Sequence, residues 1–344
     1  RPPRSTLFPY TTLFRSPSDE RRAFARTPPD ILITTPESLF LLLTSAAREA
    51  LRGIRTVIVD EVHAVAATKR GAHLALSLER LDHLLPRPAQ RIGLSATVRP
   101  VDVAARFLGG ARPVDVVQPA AEKTVEVSVE VPVADMTHLD EQEPTEPDEL
   151  GGPRPASIWP AVEERVYRLI RQHRSTIVFT NSRRSAERLC ARLNELAAAD
   201  AGAPTPAPDH LPAQVMAQSG MAGGATPVIA RAHHGSVSRQ ERQHIEESLK
   251  SGQLPAVVAT SSLELGIDMG AVDLVVQIQA PPSVAAGLQR IGRAGHQVGA
   301  VSRGVVLPMH RGDLLPCAVV AERMADGAIE ELHLPRNPLD VLAQ

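Results

Sequence analysis

Short β-branched runs alternate with stretches of helical periodicity along this chain, and that alternation restricts the fold more than any other feature of the sequence. Strands joined through helices run parallel, because only a crossover can bring the chain back to the same end of a sheet. In the first half, Ile31 to Thr34, Thr56 to Val59 and Arg91 to Ser95 read as strands. Between and after them, a helix opens at Pro36 and Glu37, a second spans about Ala72 to Leu85, and a short third covers Val101 to Leu108. A second series follows: strands at Thr176 to Thr180, Ile229 to His233, Ala256 to Thr260, Asp273 to Ile278 and Val301 to Leu307. Its helices run from Trp159 to Ile170, from a Ser182 cap to Ala199, from the capping box Ser238-Arg-Gln-Glu241, and from Ser283 to Ala294. The predicted class is α/β, with two parallel-sheet domains.

At 344 residues the chain has room for two such domains. Residues 1–18 read as a spurious or disordered leader, because residues 1–16 repeat Thr-Leu-Phe and hold three of the nine aromatic residues. The first domain then spans 19–118. Residues 119–157 read as a strand, Thr124 to Val133 in strict alternation, and an acidic linker. The second domain spans 158–310, and 311–344 begin something further. Asp135 to Arg154 and Asp200 to Thr226 lack apolar periodicity and are expected to be irregular.

Net charge is -2, but Asp135 to Leu150 holds seven acidic residues and no Lys or Arg, so the remainder is mildly basic. That balance permits a nucleic-acid partner without requiring one. Cys190 and Cys317 stand alone and form no zinc-binding or disulfide pattern. No apolar run is long enough to span a bilayer and no signal-peptide pattern is present, so a cytoplasmic location is expected.

The chemistry concentrates at strand ends. In TVIVDEVHAV, Asp60 and Glu61 follow a β-branched strand at its C-terminal end, the edge where open α/β sheets bind ligands. One carboxylate there can hold a magnesium ion on nucleotide phosphates while its neighbour orients water. A solvated loop is the plainer reading of that pair taken alone. Ser95-Ala-Thr97 ends the next strand and would lie beside it. In the second half, Ala259 to Asp268 again places hydroxyls, Gly266 and a carboxylate after a strand. Gln289-Arg-Ile-Gly-Arg293-Ala-Gly-His296 sets Arg290 and Arg293 three apart, on one helical face.

Taken in order, TTPESL (Thr34 to Leu39), DEVH (Asp60 to His63), SAT (Ser95 to Thr97), IVFTNSRRSAERL (Ile177 to Leu189), HHGSVS (His233 to Ser238), ATSSLELGID (Ala259 to Asp268) and QRIGRAGH (Gln289 to His296) resemble a superfamily 2 helicase. With RGAHLALSLERLD after DEVH and LHLPRNPLDVLAQ at the end, the chain is similar to the large helicase-related (Lhr) family. The resemblance implies two RecA-like domains, the first incomplete, the start of a winged helix at 311–344, ATP and Mg2+ as cofactors, and single-stranded or forked DNA, an RNA:DNA hybrid or RNA as partner. Its function would be ATP-driven movement on single-stranded DNA with strand separation, in DNA repair. By the same resemblance Asp60 binds magnesium, Glu61 activates water, and His63, Ser95 and Thr97 couple the nucleotide to the strand. Arg290 and Arg293 are arginine fingers, while Gly266, Asp268 and Gln289 approach the nucleotide. Thr35, Pro36, Asn181, Arg183, Thr260 and Ser261 contact the nucleic-acid backbone. His296 stands where many relatives carry a third arginine, and no finger role is given to it.

One departure from the family pattern is plain: no G-x-x-x-x-G-K-[ST] loop occurs, and none of the three lysines follows a glycine. The chain therefore reads as an N-terminally truncated fragment, inactive alone. An RNA-directed helicase and a non-catalytic nucleic-acid-binding protein are the alternatives. The second has no need of Glu61, Arg290 and Arg293 together.

Overall fold

The computed structural model describes Phe24 and residues 27–96, 98–118, 124–137, 139, 157–202, 228–264, 272–295 and 301–343. Residues 1–16, and most of 135–154 and 200–226, lie outside the described residues. The chain divides into two compact units, Arg1–Pro119 with Glu331–Gln344, and Ala120–Glu330.

In the first unit, β1 (Thr56–Val59) and β2 (Gln90–Gly93) pair in parallel, with Ile58 opposite Ile92. Helix α1 (Pro36–Leu43) begins where the sequence signals it: Thr35 Oγ1 accepts the Ser38 amide at 3.3 Å and proline occupies the first turn. Helices α2 (Val62–Ala66), α3 (Lys69–Leu84) and α4 (Val101–Gly109) follow. Leu39, Leu42 and Leu43 of α1 bury with Leu74, Leu78 and Leu81 of α3, joined by Val59, Val62 and Phe107. Each fully buried Leu of this kind contributes about 1.5–3 kcal/mol.

The strand expected at Ile31 to Thr34 does not form. Ile31 is 67% and Ile33 46% exposed, and no described strand offers them a ladder partner. Local β-propensity without a pairing edge does not make a strand. Ile58, at 61%, and Ile92, at 37%, are also exposed, so that face of the pair is uncovered among the described residues.

The second unit is a six-stranded parallel sheet in the order β3-β8-β7-β4-β6-β5. Its strands are β3 (Val125–Val129), β4 (Thr176–Phe179), β5 (Ala230–His233), β6 (Ala256–Ala259), β7 (Leu274–Ile278) and β8 (Ser302–Leu307). Helices α5 (Trp159–Gln172) and α6 (Arg183–Asp200) share one buried layer with Val178, Val258 and Val276. Helices α7 (Arg239–Lys250), α8 (Val284–Ile291) and α9 (Arg311–Ala325) share the other with Ile177, Val257 and Val275. Successive residues of β4, β6 and β7 thus enter opposite layers, as a doubly covered parallel sheet requires.

Two expected boundaries move. β3, expected in a segment between the two domains, pairs with β8 as the sheet's edge strand and so belongs to the second unit. Helix α9 belongs to the same unit, because Cys317, Ala321 and Met324 form one buried stripe and Met324 enters its core. The chain then returns to the first unit: the Leu332 amide donates to the Arg99 carbonyl at 2.5 Å, and Lys69 Nζ bonds Asp340 Oδ2 at 2.6 Å. No helix among the described residues is long and apolar enough to cross a membrane.

Candidate functional site

At the C-terminal end of β1, Asp60 and Glu61 sit on a turn so tight that Glu61 is left-handed, with φ 51° and ψ 48°. A non-glycine residue there costs on the order of 1 kcal/mol or more and is held only where its surroundings demand it. Asp60 Oδ1 accepts the Glu61 amide at 2.9 Å. His63 Nδ1 lies 2.9 Å from Ser95 Oγ, and its Nε2 lies 3.4 Å from Glu61 Oε2. Ser95 therefore reaches the Glu61 carboxylate through His63. Burial lowers the His63 pKa, opposed by the charges of Glu61 and Asp60. Thr97 is outside the described residues.

The strand-end placement follows from the ladder: the Leu94 amide donates to the Val59 carbonyl at 2.9 Å and the Val62 amide to the Leu94 carbonyl at 3.0 Å. Thr35 and Pro36 lie together at the start of α1, where the Thr35 hydroxyl is already a helix cap.

In the second unit, Asn181, Ser182, Arg183, Gly235, Thr260, Ser261 and Ser262 line one groove of about 380 Å³. Four residues expected from two distant motifs thus meet at the C-terminal ends of β4 and β6. Ser182 Oγ accepts the Ser185 amide at 3.1 Å, which sets the start of α6, and Arg183 Nη1 donates to Ser236 Oγ at 2.9 Å. Hydroxyls, a guanidinium and a helix N-terminus together suit an anionic backbone. Sequence reasoning noted HHGSVS but assigned no role within it. The structure makes that segment the groove's third wall, through Gly235 and Ser236.

The two arginines diverge from expectation. Helix α8 ends at Ile291 with Gly292 as its C-cap, so Arg293 lies beyond it and the pair shares no helical face. Arg290 is only 3% exposed and turns into its own unit. Its Nε donates to Glu264 Oε1 at 2.7 Å, Nη2 bonds the same oxygen, and Nη1 donates to Gln277 Oε1 at 2.8 Å and Asn181 Oδ1 at 3.2 Å. The guanidinium also lies 5.2 Å from the centre of the Phe179 ring. A buried guanidinium with four hydrogen bonds to partners in its own unit is not presented as a finger, so that role is withdrawn for Arg290. Arg293 is half-buried, and its Nη2 donates to the Glu264 carbonyl at 2.5 Å. Gln289 is half-buried on α8, and Gly266, Asp268 and His296 are outside the described residues. Gly295 has φ +63°, and a Cβ there would come within 2.5 Å of the Val301 carbonyl oxygen, so the close turn after Arg293 needs glycine.

The DEAD/DEAH box helicase family matches residues 10–105, and the helicase conserved C-terminal domain matches residues 217–297. Fold, strand-end carboxylates and these two matches together define the class, the paired motor domains of a helicase. The Lhr helicase/probable uracil glycosylase of Mycolicibacterium smegmatis is 62% identical over 335 residues, 96% of this chain and 21% of that protein. The Lhr helicase/uracil glycosylase of Escherichia coli is 57% identical over 332 residues, again 96% of this chain and 22% of that protein. The solved structure of Mycobacterium smegmatis helicase Lhr bound to ssDNA and AMP-PNP superposes with a TM-score of 0.80 at 60% identity, covering 96% of this chain and 38% of that one. This chain belongs to the Lhr helicases. It spans about a fifth of the length of the two curated relatives it matches.

Proposed function

We propose that this chain is the motor segment of an ATP-dependent helicase that moves on single-stranded DNA and separates strands. The observation that carries the reading is the groove in which Asn181, Arg183, Thr260 and Ser261 converge. Hydroxyl, amide and guanidinium donors without an aromatic platform suit contacts to phosphate, which position a strand without reading its bases. A relative captured with ssDNA favours DNA over RNA as the partner. A place in DNA repair is the corresponding proposal for the whole protein.

Asp60 is the proposed magnesium ligand and Glu61 the base. Among the described residues no group of three or more His, Cys, Asp or Glu could form a protein cage for a metal. That suits magnesium, which is commonly held by one or two carboxylates together with substrate phosphates. When bound, the ion would neutralise charge on the transferring phosphoryl group. Glu61, held by its left-handed turn, would orient water, and His63 with Ser95 would connect that carboxylate to the rest of the unit. Arg293 is the proposed finger, with Arg290 a positioning residue behind it. Gly266, Asp268 and Gln289 remain proposed nucleotide contacts, and Thr35 and Pro36 proposed backbone contacts.

Titration of the chain with a labelled single-stranded oligodeoxynucleotide tests the groove. Arg183→Ala should weaken binding several-fold and reduce the salt slope by about one counterion. Unchanged affinity and slope would remove Arg183 and the groove from the proposal. Because no glycine-lysine phosphate loop occurs in the sequence, ATP turnover by this chain is expected to be negligible with or without DNA. Robust DNA-stimulated phosphate release would overturn that part.

A further inference from the structure

Two adjacent histidines at the end of β5 differ in how many protons their contacts require. His234 is satisfied as a neutral ring: Nε2–H donates to Glu187 Oε1 at 2.5 Å, and Nδ1 accepts the Ser236 amide at 3.3 Å. His233 is fully buried and meets Ser262 Oγ through Nδ1 at 2.8 Å and Glu246 Oε1 through Nε2 at 3.0 Å. The Ser262 hydroxyl in turn donates to the His233 carbonyl at 2.8 Å.

A hydroxyl has one proton, and this one is already placed on the carbonyl, so Nδ1 must be the donor to Ser262 Oγ. A neutral ring protonated at Nδ1 would then aim a lone pair at the Glu246 carboxylate. All three contacts hold together only when the His233–Glu246 pair carries one further proton. Without it, Nε2–H serves Glu246, the Ser262 hydroxyl turns to Nδ1, and its bond to the carbonyl of β5 is lost.

Both ends of that choice touch the groove. Ser262 lines it beside Thr260 and Ser261, and the Thr260 amide donates to the same His233 carbonyl at 3.3 Å. The extra proton therefore ties the Thr260–Ser262 turn to β5 and removes one negative charge from behind the groove wall. We infer that His233 is a positioning residue of the nucleic-acid groove, and that it binds a proton together with the phosphate backbone. This rests on the reading of the groove as a phosphate-contact surface.

Among the described residues, four charged groups bear on His233. Glu246 of α7 favours the proton, and Arg242 on the same helix opposes it. Glu187 of α6 is engaged by His234, and Arg183 stands at the groove's rim. Burial lowers the His233 pKa from its ordinary value. Burial thus works against the extra proton, and acid, or an anion in the groove, works for it.

The test measures binding of a labelled oligothymidylate to the intact chain by fluorescence anisotropy, at constant ionic strength, from about pH 8 to about pH 5.5, the range in which imidazole titrates. Wild-type affinity should rise toward acid with a slope approaching one proton, at most about tenfold per pH unit. His233→Gln should flatten that slope. Ser262→Ala guards against a folding defect, because it leaves the ring bonded to Glu246 and removes the one hydroxyl whose contacts with Nδ1 and with the His233 carbonyl together demand the extra proton. It too should flatten the slope, whereas His234→Gln should keep it. Tight binding with no pH slope in the wild type, or an equal slope in His233→Gln and Ser262→Ala, would overturn the inference while leaving the groove standing. Failure of the wild type to bind at any pH would instead overturn the groove itself and this inference with it.

Discussion

Glu264 serves two arginines at once: its carboxylate receives Arg290 and its carbonyl receives Arg293. Because Arg290 also donates to Asn181, one hydrogen-bonded chain joins the groove, the proposed finger and the turn between them. Removing one partner of a buried ion pair leaves the other charge uncompensated, at a cost of about 3–5 kcal/mol. Glu264→Ala should therefore lower the denaturant midpoint of the second unit by a corresponding amount. A loss below about 1 kcal/mol would show that Arg290 finds another partner and that the chain is not held at Glu264. At this scale the sequence was an uneven guide. Asp60, Glu61 and His63 could be placed because a β-branched strand announces its own end. Arg290 was misread because spacing of three residues predicts a shared face only while a helix continues, and Gly292 stops it. The His233 contacts were invisible, since Ser262 and Glu246 lie 29 and 13 residues away.

Among the elements, those with a local signal matched the structure within two or three residues, except that β3, expected to run to Val133, stops at Val129. Ser182, Ser238 and Ser283 each cap the helix expected after them, each hydroxyl accepting an amide three residues on. The segment Ile31 to Thr34 failed because a strand is defined by its neighbour, and composition does not say whether a neighbour exists. The two sheets should differ accordingly in their dynamics. β4, β6 and β7 are buried along their whole length with partners on both sides, whereas among the described residues β1 and β2 pair only with each other and expose Ile58 and Ile92. A two-stranded sheet depends on its helices for what stability it has. Amide hydrogen exchange should be slowest in β4, β6 and β7 and faster by orders of magnitude in β1 and β2. Equal protection in the two sheets would contradict this account.

At the scale of the whole molecule, both the parallel α/β class and the two-unit division were legible, because they follow from alternation repeated over many elements. The return of residues 331–343 to the first unit was not, since nothing in LHLPRNPLDVL specifies which of two apolar surfaces it joins. That return has a consequence for biosynthesis. The second unit is an insertion: everything it needs lies between Ala120 and Glu330, in one uninterrupted stretch. The first unit waits for Leu332, which fills part of its core, and for Asp340, which clasps Lys69. A ribosome making this chain from its N-terminus exposes the earlier-made unit without its final pieces while the later-made one can already close. Order of synthesis and order of completion are therefore reversed. In the same exchange measurement, a chain ending at Glu330 should lose protection in α3 and α4 alone, with the inserted unit unchanged.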